Sequence, residues 1–76
     1  MRLNRFVDAE PLARMMVDQY QALARQEPIM RIDLACSLIN LGVTLDGQNR
    51  LQESRQPISE ALTILDEIRQ DFRDEY

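Results

Sequence analysis

The feature that most constrains the fold of this chain is its shortage of backbone breakers. Only two glycines and three prolines occur in 76 residues. The stretches between them are rich in leucine, alanine, methionine, glutamine, glutamate and arginine, which favour helices. Sustained apolar/polar alternation and clusters of β-branched or aromatic residues, which indicate strands, are missing. The sequence therefore predicts an all-α fold built from a few long helices.

The apolar spacing predicts three helices, over residues of about 6–25, 30–46 and 50–72. Pro28 ends the first helix, and segment 46–49 is predicted to be a tight turn in which Gly47 or Asn49 adopts a positive φ. Pro57 lies about two turns into the third helix, where we expect it to bend the helix slightly. Because the connections are only about four residues long, neighbouring helices are expected to run antiparallel.

Each predicted helix carries an apolar face. The most regular one lies on the second helix, at steps of four, three and four residues: Leu34, Leu38, Leu41 and Leu45. The first helix carries a shorter set, Leu12, Met15, Met16, Tyr20 and Leu23. The third helix carries a longer one, Leu51, Ile58, Ala61, Leu62, Leu65, Ile68 and Phe72. These faces are expected to pack against one another as the core of a single domain, 1–76.

Chain length and side-chain chemistry restrict how such a domain is stabilised. A chain of this size buries only about 60% of its unfolded surface, so small domains usually rely on disulfides, metals or a partner. Cys36 is the single cysteine and there is no histidine, which removes an internal disulfide, the commonest zinc ligand and any His-dependent triad. We therefore expect no metal, no cofactor and no enzymatic activity, and we expect stabilisation by association.

The charge pattern restricts the partners. The net charge is −4, the isoelectric point is near 4.6, and all nine basic residues are arginines interleaved with acids. Nucleic-acid binding requires a cationic surface, so a helix-turn-helix DNA-binding protein is the weakest alternative. Residues 1–12 lack the apolar stretch of a signal peptide, and no apolar run approaches the roughly 18 residues needed to cross a bilayer. A cytoplasmic protein that binds neither nucleic acid nor membrane is expected.

The segment LACSLINLGVTL at 34–45, followed by NRLQES at 49–54 and EALTI at 60–64, resembles a tetratricopeptide repeat. The similarity is to the longer type found in kinesin light chains and many bacterial repeat proteins. Leu38 occupies the bulky position of the first repeat helix, Leu41 and Gly42 the Leu-Gly pair, and Leu45 the usual tyrosine. On the second repeat helix, the two small-residue positions and the aromatic position between them correspond to Ser54, Ala61 and Ile58.

The earlier segments DAEPL at 8–12 and YQALA at 20–24 are similar to the second helix of a preceding repeat. The resemblance thus implies an α-solenoid fragment, with a partial repeat at 1–27 and one full repeat at 29–76. This chain departs from the repeat pattern at three positions: Asn49 replaces the usual glycine, Ser54 replaces alanine, and Pro57 falls one residue late. An unrelated antiparallel three-helix bundle is the alternative, and it explains the leucine stripe equally well.

In tetratricopeptide proteins, ligands bind along the concave surface formed by the first helix of each repeat. Carried over position by position, the resemblance implies a partner-binding groove bordered by Cys36, Ile39, Asn40, Val43 and Asp46. Asn40 matches an asparagine that holds a ligand backbone, since an amide offers a donor and an acceptor; alternatively it caps a local backbone group. Cys36, Ile39 and Val43 form one apolar stripe away from the leucine face, either open to a partner or covered by another helix.

Two functions remain after these exclusions. The first is a non-catalytic protein–protein interaction module, as a scaffold, an adaptor or a fragment of a longer repeat protein, with a protein or peptide as partner. The second is a structural self-assembly unit that forms homo-oligomers through the open ends of its solenoid. The second follows because repeats bury their faces against neighbours, and about three repeats are normally needed for stability.

Overall fold

A computed structural model describes the backbone of residues 2–75 and the side chains of residues 5–73. Three helices account for most of this part of the chain: α1 (Arg2–Gln26), α2 (Arg31–Asp46) and α3 (Leu51–Glu75). A single 3₁₀ turn, Pro28–Met30, precedes α2, and no strand occurs within residues 2–75. The prediction of an all-α fold is therefore confirmed. Helix α1 begins about four residues earlier than predicted, and α3 ends about three residues later.

The break between α1 and α2 lies where proline chemistry predicts it. Glu27 is extended, with φ −128° and ψ 101°, and Pro28 starts the 3₁₀ turn. The proline ring disfavours helical geometry for the residue before it, which ends α1 at Gln26. Pro11 and Pro57, in contrast, lie inside α1 and α3, which continue through them.

The turn between α2 and α3 depends on Asn49, the only non-glycine residue with positive φ (62°) in the described chain. The amide of Arg50 donates to the carbonyl of Leu45 (3.0 Å), and the amide of Asn49 donates to the carbonyl of Asp46 (2.9 Å). These two bonds form a Schellman motif, which needs a left-handed residue after the helix. Gly47 has a φ of −63°, so Asn49, and not Gly47, supplies the positive φ.

Helix α2 lies between the other two helices and supplies most of the core. All four leucines of its predicted apolar stripe are buried, which confirms that prediction. Near the start of α2, Leu34, Ala35 and Leu38 pack with Ala61 of α3 and with half-buried side chains that include Tyr20 of α1. Near its end, two further core residues of α2 pack with a helix α1 alanine: Leu41, Leu45 and Ala13.

Small residues bring α2 and α3 close together, as the sequence predicted. Gly42, Ser54 and Ala61 are all buried at this contact. A Cβ atom added at Gly42 would overlap the side chain of Ile58 and lie 3.4 Å from the carbonyl oxygen of Ser54. Only glycine therefore fits at position 42 while Ile58 keeps its place.

The molecule is elongated, with principal dimensions of 48 × 21 × 16 Å. Part of the apolar set predicted for packing is exposed instead: Leu12, Met15 and Leu23 on α1, and Leu51, Leu62, Leu65 and Phe72 on α3. The expectation that these residues complete the core is wrong, because α1 and α3 each turn only one side toward α2. Both outer helices consequently present apolar flanks to solvent.

Candidate functional site

The residues predicted to border a groove lie together on the side of α2 that points away from the core. We call this surface the α2 face; it consists of the predicted Cys36, Ile39, Asn40, Val43 and Asp46, together with Ile32, which was not predicted and lies one turn before Cys36. They recur at helical spacing on one side of α2, while the buried leucines occupy the opposite side. Neither α1 nor α3 covers the whole of this face, so most of it is exposed.

Cys36, Asn40 and Val43 are exposed, and Val43 keeps 53% of its accessible surface. The Asn40 amide makes no hydrogen bond within the part of the chain whose side chains are described; the backbone oxygen of Asn40 accepts one from the Thr44 hydroxyl (2.7 Å). Its donor and acceptor groups are thus free for a ligand backbone. Of the two alternatives for Asn40, the capping role finds no support in the described contacts.

Ile39 and Asp46 differ from this pattern. Ile39 is half-buried and packs against the core cluster of Leu34, Leu38 and Ala61, so it supports the α2 face rather than standing free on it. Asp46 is exposed in the last turn of α2, and its backbone carbonyl belongs to the Schellman motif. The apolar part of the face that solvent reaches is therefore formed mainly by Ile32, Cys36 and Val43.

At its N-terminal end, the α2 face continues into a groove that sequence reasoning missed. This end groove has a volume of about 360 Å³ and is lined by Pro28, Ile29, Arg31, Ile32, Ile68, Asp71 and Phe72. Arg31 donates to Glu67 (Nη2–Oε1 2.6 Å) at its edge. The groove lies between the 3₁₀ turn with the start of α2 on one side and the last turns of α3 on the other. The three-residue spacing of Ile29 and Ile32 could have indicated one apolar wall of the groove. The other wall comes from residues 68–72, some 40 positions later, and the sequence does not show that they lie opposite.

A second groove, of about 340 Å³, lies on the opposite side of the molecule, between α1 and α3. Leucines 38, 41 and 45 are at its base with Pro57, and polar side chains surround it: Arg14, Glu53, Gln56 and Glu60. Glu10 is not among the residues that line this groove, and its carboxylate is occupied elsewhere.

Glu10 anchors α1 to the turn between α2 and α3. Its carboxylate accepts hydrogen bonds from Gln48 (Nε2–Oε1 3.0 Å), Arg50 (Nη1–Oε1 2.6 Å) and Arg14 (Nε–Oε2 2.9 Å). Gln48 also donates to the backbone oxygens of Thr44 and Phe6, at 3.2 and 3.4 Å. The Phe6 ring lies against Gly47, where an added Cβ would come within 2.5 Å of it. The conformation of the turn is thus fixed by α1, far from it in sequence.

These contacts lower the pKa of Glu10 below its ordinary 4.5, chiefly through the hydrogen bond from Gln48 and then that from Arg14. The pKa of Glu53 is also lowered, by its hydrogen bond with Arg50, and the same bond raises the pKa of Arg50. A carboxylate with a lowered folded-state pKa contributes stability above the unfolded-state pKa. That contribution is lost as the pH falls through the folded-state value.

We expect Glu10→Gln to lower the melting temperature at pH 7, and the difference from wild type to shrink as the pH falls below about 4.5. The physical reason is that acid protonates Glu10 in the wild type and removes the same interactions. Thermal unfolding followed by circular dichroism over a pH series measures this. Asp18→Asn removes an equal charge at an exposed position of the same helix. A pH-independent difference, or an equal effect of Asp18→Asn, would contradict this role of Glu10.

Metal and membrane binding were both expected to be absent. Within the described residues, no group of three or more His, Cys, Asp or Glu side chains is placed to hold a metal ion. One stretch, Pro28–Asp46, is long and apolar enough by length and composition to cross a membrane. The statement that no run approaches that length is therefore wrong. The stretch is also the central, partly buried helix, and core helices of soluble proteins have the same composition.

Comparison with known proteins gives no match to a family model, to a curated protein or to a solved structure. The similarity to tetratricopeptide repeats therefore stays a prediction from the motifs at 34–45 and 49–64. The candidate site of this chain is the α2 face, which holds the predicted residues, together with the end groove beside it.

Proposed function

We propose that this protein is a non-catalytic protein-interaction module that binds a peptide or a protein segment on the α2 face. The observation that carries the proposal is an exposed apolar stripe beside a free amide, at Ile32, Cys36, Val43 and Asn40. Apolar patches of this kind on small proteins usually mark interaction surfaces. The amide adds a donor and an acceptor for the backbone of the ligand.

An antiparallel helical hairpin of tetratricopeptide type is the architecture that fits this proposal. It is supported by which parts of the helices touch. The C-terminal half of α1 packs with the N-terminal half of α2, and a more N-terminal part of α1 packs with the C-terminal half of α2. It is supported further by the close approach of α2 and α3 at Gly42, the glycine of the Leu-Gly pair. In such an arrangement the α2 face is the concave surface, and the buried side of α2 holds the outer helices in place.

The composition of the surface favours an extended or helical segment with small apolar side chains over a charged ligand. The accessible side chains along the middle of the α2 face are uncharged, while Asp33 and Asp46 are exposed on the same helix. The end groove adds apolar volume beside Ile29 and Phe72. A ligand that inserts one apolar side chain there and lies along α2 would contact both parts of the site.

To test the proposal, peptides are selected from a random phage library on the wild-type protein, and the best one is synthesised and labelled. We expect Val43→Asp and Asn40→Ala to weaken its binding roughly tenfold or more in fluorescence anisotropy, since each removes about 1.4 kcal/mol or more. Ile39→Asp is unsuitable because Ile39 supports the core.

Leu12→Asp is the matched control, because Leu12 is exposed to a similar degree (59%) but lies on α1, outside the α2 face. It should leave the affinity for the peptide unchanged. Equal binding of the peptide by wild type and Val43→Asp, with helicity preserved in both, would contradict the proposed site. Equal loss in Val43→Asp and Leu12→Asp would indicate non-specific adhesion to apolar surface.

A further inference from the structure

The end groove carries an unbalanced negative charge at its edge. Five of its seven lining residues are apolar, and the other two are Arg31 and Asp71. The guanidinium of Arg31 is bound by Glu67 (Nη2–Oε1 2.6 Å). Asp71 is exposed and forms no ion pair among residues 5–73, whose side chains the structure describes. Because Glu67 already neutralises Arg31, the carboxylate of Asp71 is left without a cation in this part of the chain.

The wall formed by the 3₁₀ turn and the start of α2 has further acidic residues beside it. Glu27 comes directly before the groove residue Pro28, and Asp33 comes directly after the groove residue Ile32; both acidic residues are exposed. Arg31 is the only basic residue between positions 26 and 49. This wall of the end groove therefore has more negative than positive charge next to it.

The opposite wall also favours a cation. Phe72 lies in the last turn of α3, where the backbone carbonyls have no partner within the helix and carry a partial negative charge. Of the two arginines near this end of α3, Arg69 is bound by Asp66 (Nη2–Oδ1 2.6 Å), and Arg73 is not among the lining residues. Both walls thus favour a positively charged group at the edge of an apolar groove.

We infer that the end groove binds a large apolar side chain whose neighbour in the ligand sequence is a lysine or an arginine, with that cation beside Asp71. The groove volume of about 360 Å³ is at the small end of ligand pockets and suits one such side chain. The net charge of −4 also attracts a basic segment over longer distances. The inference rests on the proposed peptide binding and adds the chemistry of one end of the ligand; the part along the middle of the α2 face stays uncharged.

Three blocked dipeptides test the inference: acetyl-leucyl-lysine amide, acetyl-leucyl-glutamine amide and acetyl-leucyl-glutamate amide. Each is titrated into the full chain carrying ¹³C-labelled isoleucine methyl groups, and the NMR signals of Ile29, Ile32 and Ile68 are followed. The lysine dipeptide should bind about two- to fivefold more tightly than the glutamine dipeptide, the usual size of an exposed ion pair, and the glutamate dipeptide should bind most weakly. Sodium chloride at about 1 M, where the Debye length is about 3 Å, should remove these differences.

Asp71→Asn should abolish the preference for lysine and leave the affinity for the glutamine dipeptide unchanged. Asp71 is exposed, so circular dichroism should show an unchanged fold. Asp18→Asn is the matched control, because it removes the same charge at an exposed position of α1 and should keep the preference. An equal loss of preference in both variants overturns the inference, since net charge alone would then explain it.

Equal affinities of the lysine and glutamate dipeptides at low salt overturn the inference, and so does the absence of methyl shifts with all three dipeptides up to about 10 mM. Failure of the proposed function gives a different result. If Val43→Asp leaves the binding of the phage-selected peptide intact while the lysine preference persists, the end groove is supported and the α2 face is rejected. The reverse pair of results rejects the inference and keeps the α2 face.

Discussion

Leu45→Ala is expected to remove about 2–5 kcal/mol from the free energy of unfolding, the usual cost of emptying a buried leucine site. Leu45 is 2% exposed and packs with Ala13 and Leu41, where α1 and α2 are held together. A 76-residue chain has a total stability of about 4–11 kcal/mol at typical values per residue. The variant should therefore melt at a much lower temperature or be largely unfolded at 37 °C.

Urea unfolding followed by circular dichroism measures the effect, with Leu12→Ala as the control. Leu12 has the same side chain and is 59% exposed, so its replacement should change the stability by about 0.5 kcal/mol or less. A midpoint for Leu45→Ala close to that of Leu12→Ala would show that the contact between α1 and the end of α2 does not form.

Gly42→Val is expected to cost about 1–3 kcal/mol, the usual penalty for overpacking a well-filled contact. Already a Cβ at position 42 would overlap the Ile58 side chain, with Cδ1 at 2.7 Å, and valine adds two more carbons. Because α2 and α3 are joined by a short turn whose geometry Asn49 fixes, α3 has little freedom to move away. The midpoint of urea unfolding should fall accordingly.

The double variant Gly42→Val/Ile58→Ala should recover part of this loss, since the smaller side chain makes room for valine. Cys36→Val provides the control: it places the same residue on the exposed side of α2 and should change the stability by about 0.5 kcal/mol or less. Additive effects of Gly42→Val and Ile58→Ala would contradict direct overlap between these two positions.

Local patterns predicted the three helices and the part of the core that α2 supplies. The four leucines of α2 are buried because their spacing leaves them on one side of the helix, and this depends on neighbours within a few turns. The positions of Gly42, Ser54 and Ala61 at the α2–α3 contact followed from the small size of these residues. The break at Pro28 followed from the geometry of proline.

Contacts between residues distant in sequence could not be predicted in the same way. Nothing near Glu10 indicates that it will meet Gln48 and Arg50, some 40 positions later, because that contact depends on how α1 packs on α2. Likewise, the spacing in α3 showed that Leu62 and Ala61 were both apolar, but not that Ala61 would face α2 while Leu62 faced solvent. The choice between Gly47 and Asn49 depended on where α2 ends, and the hydrogen bond from the Arg50 amide to the Leu45 carbonyl places the left-handed residue at Asn49.

The site residues were predicted from the resemblance to tetratricopeptide repeats, and the packing of the helices decides which of them are exposed. Cys36, Asn40 and Val43 were placed in the groove by position, and they lie exposed together on α2. Ile39 was placed there too, yet it is half-buried and packs against the core cluster that contains Leu38 and Ala61. The end groove was missed because it needs Phe72, which comes from another helix.

The most direct test of the central claim, that the α2 face binds protein, is an NMR titration of the ¹⁵N-labelled chain with the peptide selected by phage display. The account predicts that the largest amide shift changes fall at residues 32–46, together with those lining the end groove at 28–32 and 68–72. Changes concentrated on α1, or a selected peptide that shifts no residue of α2, would contradict it.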